Sequence, residues 1–478
     1  MSSLKRLALA TLAPAAVVAG AIVGPGFAVA AAGVPSARPL RVTWIPGFRV
    51  AGTPAVYDRV GILKIGPASA KNVLVFEPGT QAGSGYIVPL AEWLARTLRG
   101  WQVWSIERRE NLFEDQSLLT KAKEGKATAQ QVYNYYFGYV SNHSITPHFN
   151  PVPDASVQFA KQWGTAVAVQ DMRRVLQAAE KLGGKVVLAG HSLGGALVTA
   201  YATWNFNGRP GADGLAGLVF DDGAGAGPPI SAQRAQQVLQ GVQKQASPWL
   251  SAGGVPAPYI GLFASSGALA AIQEPNAPSI AERAGLLTPF GLAPHVPATN
   301  LAVFAWDTNV GTSKLVFAFQ AHLGEGLASH PVNGVYGWNG SGAVTPAKRW
   351  ATMLAGPDIT NADGLEWYFP NRLAAEVLET GVIDQGNDNP AQHVFGMKAT
   401  LGHRLPRRLL MYAFGAYGGK AILDATIQLA KQSRIPLRNL TLVNRHRTYA
   451  HNDPAGAYPR NAFFDHLVRF LEEVDARG

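Results

Sequence analysis

Short apolar runs alternate with stretches of helical periodicity along most of the chain from residue 38 onwards. Residues 72–76 (NVLVF), 185–189 (KVVLA) and 217–221 (GLVFD) are predominantly apolar runs with the length and composition of buried strands. Residues 86–98 carry leucine and tryptophan at three- and four-residue spacing, which predicts a helix. Strands that alternate with helices predict an α/β fold, with a mostly parallel sheet flanked by helices.

The same pattern predicts further elements on both sides of a long interruption. A helix predicted at residues 165–182 ends at Gly183 and Gly184, because glycine stops helices readily. The other predicted strands are 102–106, 409–414 and 439–444, and the other predicted helices are 192–206, 420–432 and 461–474.

The alternation is lost between residues 226 and 400, where Pro, Gly and Ala are frequent and aromatic residues are scattered. We interpret this stretch as a large helical cap or lid insert. The α/β core is then discontinuous, with its first part at residues 38–225 and its second part at 401–478. The aromatic side chains of the insert either line an apolar pocket or form the core of the insert itself, and the sequence favours neither interpretation.

The first 30 residues have the three parts of a secretory signal peptide. Lys5 and Arg6 form a positive start, residues 7–23 are apolar, and residues 28–30 (AVA) place small side chains where a signal peptidase reads. An uncleaved membrane anchor is the alternative, because the apolar run approaches the length of a spanning helix. The pattern predicts a secreted or cell-envelope protein.

The composition of the chain limits which reactions and which partners are expected. The chain has no cysteine, which excludes disulfides, a thiolate nucleophile and thiolate metal ligands. The net charge is +10, but Lys and Arg are scattered and no nucleic-acid motif occurs, so no nucleic-acid partner is expected. A basic surface does favour peripheral contact with an anionic membrane or the cell envelope. The oligomeric state stays open.

Residues 190–195 (GHSLGG) carry the strongest chemical signal. They match the pattern G-x-S-x-G, and a predicted strand precedes them while a predicted helix follows. In that context a tight turn exposes the hydroxyl of Ser192 at the N-terminus of the helix, where backbone N–H groups can stabilise an oxyanion. A Gly-rich turn with an ordinary helix-cap serine is the alternative. We interpret Ser192 as a nucleophile.

A serine hydroxyl needs a base, and the loop after the last predicted strand offers two histidines. His446 lies between two arginines, which disfavour its charged form, so we prefer His451 in the turn-rich sequence that follows. His191 lies inside the motif, where we expect its side chain to point away from the serine and to support packing.

The acid that orients the imidazole is the least determined member of the site. The region after the strand at 409–414 has no carboxylate before Asp424, which lies inside a predicted helix. Asp221 and Asp222 end the strand at 217–221 instead. We favour Asp222 and keep Asp424 and Asp221 as alternatives.

Two backbone N–H groups are the candidates for an oxyanion hole. One belongs to Leu193, directly after the serine, and the other to Thr80, in the turn after the strand at 72–76. No histidine pair at metal-binding spacing and no phosphate-binding loop occurs, so we expect neither a metal nor a cofactor.

With these residues in place, the chain resembles the α/β-hydrolase family of lipases and esterases. The resemblance rests on residues 190–194, on the turn around Thr80, and on the final strand, His451 loop and terminal helix. It covers residues 38–225 and 401–478 and leaves out the insert. The departure is the missing acid after the penultimate strand.

These residues and the resemblance imply a serine hydrolase that cleaves a carboxylic ester through an acyl-enzyme on Ser192. The substrate is expected to be a small-molecule or lipid-like ester with a hydrophobic part. Two alternatives stay open at this point. One is an acyltransferase that uses the same three side chains, and the other is a hydrolase-like binding protein without activity.

Overall fold

The computed structural model describes residues 39–227, 229–251, 254–287, 291–379 and 381–477. Its main feature is an eight-stranded sheet. In chain order the strands are β1 (Val42–Pro46), β2 (Arg59–Ile65), β3 (Asn72–Glu77), β4 (Trp101–Glu107), β5 (Val186–His191), β6 (Gly217–Asp221), β7 (Leu410–Gly415) and β8 (Leu440–Asn444).

The strands lie in the order β1-β2-β4-β3-β5-β6-β7-β8. Only β2 runs against the others, since it pairs antiparallel with both β1 and β4 while the remaining neighbours pair in parallel. The carboxyl ends of β3, β5, β6, β7 and β8 therefore meet at one edge of the sheet. Ligands of open parallel sheets bind at this edge.

Fifteen α-helical segments lie among the described residues. Those that pack around the sheet or follow its strands are α1 (Val88–Thr97), α2 (Ser117–Lys123), α3 (Ala129–Tyr136), α4 (Thr165–Glu180), α5 (Leu193–Thr203), α13 (Gly419–Gln432), α14 (Asp453–Gly456) and α15 (Ala462–Ala476). Those between β6 and β7 are α6 (Ala232–Lys244), α7 (Tyr259–Gln273), α8 (Ile280–Arg283), α9 (Asn300–Thr308), α10 (Ala347–Ala355), α11 (Asn371–Ala374) and α12 (Pro390–Phe395).

The core has two layers because successive strand residues point to opposite faces of the sheet. In β3, Leu74 and Phe76 pack on the face that α1 and α15 cover. Val73 and Val75 pack on the other face, against α4, α5 and α13. The prediction of a mostly parallel sheet flanked by helices is confirmed.

The segment between β6 and β7 belongs to the same compact unit as the sheet, which extends over residues 39–478. Its regular secondary structure is mainly helical, with one short two-stranded ladder between Gly326–Leu327 and Trp338–Asn339. Many of its aromatic rings are buried, as Trp249, Trp350 and Trp367 show. The proposed boundaries at residues 226 and 400 stay a prediction.

The predicted signal peptide, residues 1–30, lies outside the described residues. Among those that are described, no helix combines the length and the apolar character needed to cross a membrane.

Candidate active site

Four segments at the carboxyl edge of the sheet hold the residues that the sequence favoured for the site. Ser192 follows β5, Asp222 follows β6, and Thr80 follows β3. His451 lies in the segment after β8, which we call the His451 loop (residues 445–453). The segment after β3 is called the Thr80 loop (residues 78–85).

Ser192 lies on a sharp turn between β5 and α5. Its backbone has φ 56° and ψ −122°, a combination that costs energy for any residue with a side chain. Its N–H donates to the carbonyl of Asp221 at 2.9 Å, and its own carbonyl accepts from Gly195 at 2.9 Å. Strain of this kind persists only where surrounding structure imposes it, and here it leaves the serine partly exposed while its neighbours are buried.

Two glycines make this turn sterically feasible. A Cβ on Gly190 would collide with the backbone carbonyl of Gly194, and a Cβ on Gly194 would collide with the carbonyl of Glu77. The backbone of the turn is therefore packed directly against the end of β3. The glycines of the motif are needed for this close approach rather than for flexibility.

Asp222 and His451 are joined directly. The Nδ1 of His451 lies 2.6 Å from Asp222 Oδ2, and both side chains are buried. The other oxygen of Asp222 accepts 2.8 Å hydrogen bonds from the N–H groups of Ala416 and Gly418. The loop after β7, which has no acid of its own, thus holds the acid that follows β6.

The two alternative acids have other environments. Asp424 is exposed on α13 and pairs with Lys420. Asp221 is fully buried and neither of its carboxylate oxygens has a hydrogen-bond partner among the described residues. Burial, with the nearby charge of Asp222, raises the pKa of Asp221 well above its ordinary value, so the charged form of this carboxyl is disfavoured.

His191 packs within the site, as expected, and also makes a hydrogen bond that was not expected. Its ring lies 4.5 Å from the ring of His451 and stacks on Tyr86 at 5.2 Å between centroids. Burial, with the neighbouring His451, lowers the pKa of His191 well below its ordinary value, so its ring is neutral. Nε2–H then donates to the backbone carbonyl of His451 at 2.9 Å. The residue before the serine therefore fixes the backbone of the histidine loop.

The Thr80 loop lies directly beside the serine. A Cβ built on Gly79 would fall 3.0 Å from the Cβ of Ser192. The Gly79 carbonyl accepts from Arg108 at 2.6 Å. Because C=O and N–H point in opposite directions across a trans peptide, the N–H of Thr80 points away from Arg108. Leu193 is the first residue of α5, where N–H groups have no partner within the helix.

Arg108 is a residue of the site that the sequence did not single out. Its guanidinium is buried and donates to three carbonyls of the Thr80 loop, those of Pro78 (3.1 Å), Gly79 (2.6 Å) and Ala82 (3.2 Å). In the sequence, residues 107–110 (ERRE) are only a short charged run. No local pattern reveals that this loop is buried, since its partners lie about 30 residues upstream.

Two carboxylates form close ion pairs with Arg108. Glu77 at the end of β3 pairs with one nitrogen, and Glu366 of the insert accepts from Nε at 2.6 Å. The backbone of the insert also reaches the Thr80 loop, because the N–H of Glu366 donates to the carbonyl of Gln81 at 3.0 Å. The Thr80 loop is thus held between the sheet and the insert.

The His451 loop is also held by the insert. Asn452 donates to the carbonyls of Ala318 and Gln320 at 3.0 and 2.9 Å. The buried carboxylate of Asp453 accepts from the backbone N–H of His322 at 3.0 Å, and its other oxygen lies 2.6 Å from Nδ1 of His322.

Two further donors complete the surroundings of Asp453, namely Thr345 Oγ1 (2.7 Å) and the N–H of Ala450 (2.7 Å). The hydrogen bond to Asp453 raises the pKa of His322 above its ordinary value of 6.5, against the effect of partial burial. This second carboxylate–imidazole pair lies two residues beyond His451 and was not predicted from the sequence.

No hydrogen bond joins Ser192 to His451 among the described residues. The Nε2 atom of His451 is buried and has no hydrogen-bond partner among the described residues. The rings of His191 and His451 lie 4.5 Å apart, so the His451 loop packs against the residue that precedes Ser192. Among these same residues, no group of three or more potential metal-ligating side chains lies close enough together to bind a metal ion.

No protein-family model matches the chain, and no curated protein sequence matches it. Solved structures are similar at low identity. A candidate lipase from Sulfolobus solfataricus is 13% identical with a TM-score of 0.43, over 90% of this chain and 93% of the other. A thermostable carboxyl esterase from Bacillus coagulans is 9% identical with a TM-score of 0.38, over 91% and 99%. A thioesterase domain from the curacin biosynthetic pathway is 10% identical with a TM-score of 0.39, over 91% and 99%.

Similarity at this level does not decide the reaction, and the fold rests on the architecture of the molecule itself. The sheet is mostly parallel with one antiparallel strand near its edge, and helices cover both faces. A strained turn at Ser192 joins β5 to α5 at the carboxyl edge, beside a histidine loop after the last strand. The chain has the α/β-hydrolase fold.

Proposed function

We propose that the protein is a serine hydrolase that cleaves carboxylic esters. Ser192 is the nucleophile, His451 is the general base and acid, and Asp222 orients the imidazole. The observation that carries the proposal is the buried 2.6 Å contact between His451 Nδ1 and Asp222 Oδ2. The strained Ser192 directly follows His191, whose ring packs on the ring of His451.

The roles follow from the geometry of each group. Because Asp222 occupies Nδ1 of His451, the Nε2 atom is the one left to accept a proton from the serine hydroxyl. The serine oxygen then attacks the acyl carbon, and Nε2–H passes the proton to the alcohol oxygen as the ester bond breaks. Water, with its proton taken by the same nitrogen, releases the acyl group in the second half of the cycle.

The negative charge on the carbonyl oxygen needs donors that are already in position. The N–H groups of Thr80 and Leu193 are the two candidates, and Arg108 supports the first of them by binding the carbonyl on the opposite side of the peptide. A hydrogen bond between Ser192 and His451 is expected to form when substrate fills the site, since catalytic hydrogen bonds are often long without substrate.

The test is turnover of p-nitrophenyl esters by the purified chain and by Ser192→Ala, with Ser341→Ala as an exposed control. We expect Ser192→Ala to abolish turnover and Ser341→Ala to leave it unchanged. Asp222→Asn is expected to lose about 10⁴-fold in kcat, as other serine hydrolases do when the acid is replaced. Asp424→Asn, the matched aspartate on α13, is expected to retain full activity.

Labelling with a fluorophosphonate probe gives an independent test. The probe should modify Ser192 in the wild-type chain, with the site mapped by mass spectrometry. Turnover that persists in Ser192→Ala, or labelling at another serine, would refute the assignment.

We also propose that the enzyme acts outside the cytoplasm, on the basis of the three-part pattern in residues 1–30. Cell fractionation with N-terminal sequencing tests this proposal, since export with cleavage removes the first 30 residues. A full-length chain in the cytoplasmic fraction would contradict it.

A further inference from the structure

Two aromatic side chains are exposed directly beside His451. Phe317 of the insert is 42% exposed and Tyr417, in the loop after β7, is 57% exposed. Their rings are stacked, with centroids 4.3 Å apart and planes within 5° of each other. We call this pair the aromatic platform. Among the Phe, Tyr and Trp residues that the structure describes, one other side chain has a similar exposed fraction. It is Tyr458, whose ring makes an edge contact with Trp93.

Each half of the platform is fixed by a contact of the site itself. Tyr417 lies between Ala416 and Gly418, whose N–H groups both donate to Asp222. Phe317 immediately precedes Ala318, whose carbonyl accepts from Asn452. Asn452 therefore fixes the backbone next to Phe317, and Asp222 fixes the backbone on both sides of Tyr417. The two rings are exposed although their loops are held by these hydrogen bonds.

The platform lies on the His451 side of the site. The ring of Phe317 meets the ring of His451 edge-on, with centroids 5.0 Å apart and planes at 82°. In the proposed reaction His451 gives its proton to the alcohol oxygen, so the alcohol part of the ester lies next to His451 when the bond breaks. In the same reaction the acyl carbon is bound to Ser192, so the acyl chain lies on the side of the ester bond away from the alcohol oxygen.

We propose that Phe317 and Tyr417 bind the alcohol part of the ester, and that this part is a flat apolar group such as an aryl or arylmethyl group. This inference rests on the proposed function. A flat hydrocarbon group removes apolar ring surface from water and can stack on an aromatic partner, whereas a small or polar alcohol gains little from the platform. Val316, which is also exposed, extends the apolar surface beside Phe317.

The experiment measures kcat/KM for two series of esters with leaving groups of similar reactivity. The alcohol series consists of ethyl, benzyl and 2-naphthylmethyl acetate. The acyl series consists of ethyl acetate, ethyl phenylacetate and ethyl 2-naphthylacetate. The enzymes are the wild type, Phe317→Ala, Tyr417→Ala and Tyr417→Phe, with Tyr458→Ala as the matched control.

We expect the wild type to prefer the arylmethyl acetates over ethyl acetate. Phe317→Ala and Tyr417→Ala should each lower that preference by about tenfold, the size of an aromatic contact, and should leave the preference within the acyl series unchanged. Tyr417→Phe and Tyr458→Ala should keep the wild-type preference. A general disturbance of His451 lowers every rate together and cancels in these ratios.

Three results would overturn the inference: an unchanged preference in the alcohol series, an equal change in both series, or a change in the acyl series alone. The proposed function is tested separately by Ser192→Ala. Ester turnover that depends on Ser192 but shows no effect of the platform would remove this inference and leave the function standing. Absence of ester turnover in the wild type would remove both.

Discussion

Charged groups connect both the Thr80 loop and the His451 loop to the insert, but the two anchors differ in their chemistry. The Thr80 loop is held by Arg108, whose side chain is 6% exposed and is surrounded by the carboxylates of Glu77 and Glu366. The His451 loop is held by Asp453, whose partner His322 has a side chain that is 37% exposed. One anchor is thus a permanent buried charge, and the other includes a titratable group at the surface.

The difference teaches what each loop has to do. In the proposed mechanism the Thr80 loop offers a backbone N–H to an oxyanion, so it must not move when charge develops, and an arginine remains protonated at every accessible pH. The His451 loop carries a side chain that is already fixed at Nδ1 by Asp222 and by the contact with His191, so its second anchor can be weaker. Substitutions on the two sides should therefore differ in size.

The largest effect is expected from Arg108→Met. This change leaves the buried carboxylates of Glu77 and Glu366 without their cation and frees the carbonyls of the Thr80 loop. Removing one partner of a buried ion pair costs about 3–5 kcal/mol in unfolding free energy. We expect a loss of that size in urea unfolding. We also expect a fall in kcat that exceeds any change in KM, because in the proposed mechanism the Thr80 N–H acts mainly in the transition state.

Arg209→Met is the matched control, since this arginine is 78% exposed and has a single ion pair with Asp213. Exposed pairs of this kind contribute about 1 kcal/mol or less. Arg108→Lys should lie between the two, because a lysine keeps the charge but cannot reach several acceptors in one plane. Equal unfolding free energies for Arg108→Met and Arg209→Met would show that the Thr80 loop does not depend on this anchor.

A smaller effect is expected from Asp453→Asn. The carboxylate accepts hydrogen bonds from the backbone N–H groups of His322 and Ala450, from the Thr345 hydroxyl and from the His322 ring. An amide in its place can accept only about half of these hydrogen bonds. A hydrogen bond to a charged group contributes about 1.5–3 kcal/mol, so we expect a loss within that range. Asp424→Asn on the surface of α13 should be close to neutral, and urea unfolding of both variants decides the matter. A loss as large as that of Arg108→Met would remove the distinction between the two anchors.

Much of the sheet could be predicted from the sequence because its central strands are buried on both faces and form continuous apolar runs. The strands β3, β6 and β8 lie within one residue of their predicted bounds, and β5 lies within two. The strands β1 and β2 were not predicted. β1 is an edge strand of five residues with mostly exposed or half-buried positions, so it has no apolar run to reveal it.

The approximate position of Asp222 could be predicted for a different reason. Parallel strands end at one edge, so an acid at the end of β6 is brought near a histidine that follows β8, although 229 residues separate them. The contacts of Arg108 and Asp453 follow no such rule. Glu366 lies 258 residues from Arg108 and His322 lies 131 residues from Asp453, and both reach the site through the insert, whose path the sequence pattern does not specify.

The smallest effect is expected from His322→Gln, and its size depends on pH. The pKa of His322 in the folded protein is raised above 6.5 by its hydrogen bond to Asp453. Folding therefore favours the protonated ring, and this contribution is complete below pH 6.5 and is lost as the pH rises through the raised value. We expect the wild type to exceed His322→Gln in unfolding free energy most clearly near pH 5.5 to 6, with the difference shrinking towards pH 8. His330→Gln, at an exposed position, should show a small difference at every pH. If the His322 difference grew with pH, the charged pair with Asp453 would not be what joins the insert to the His451 loop.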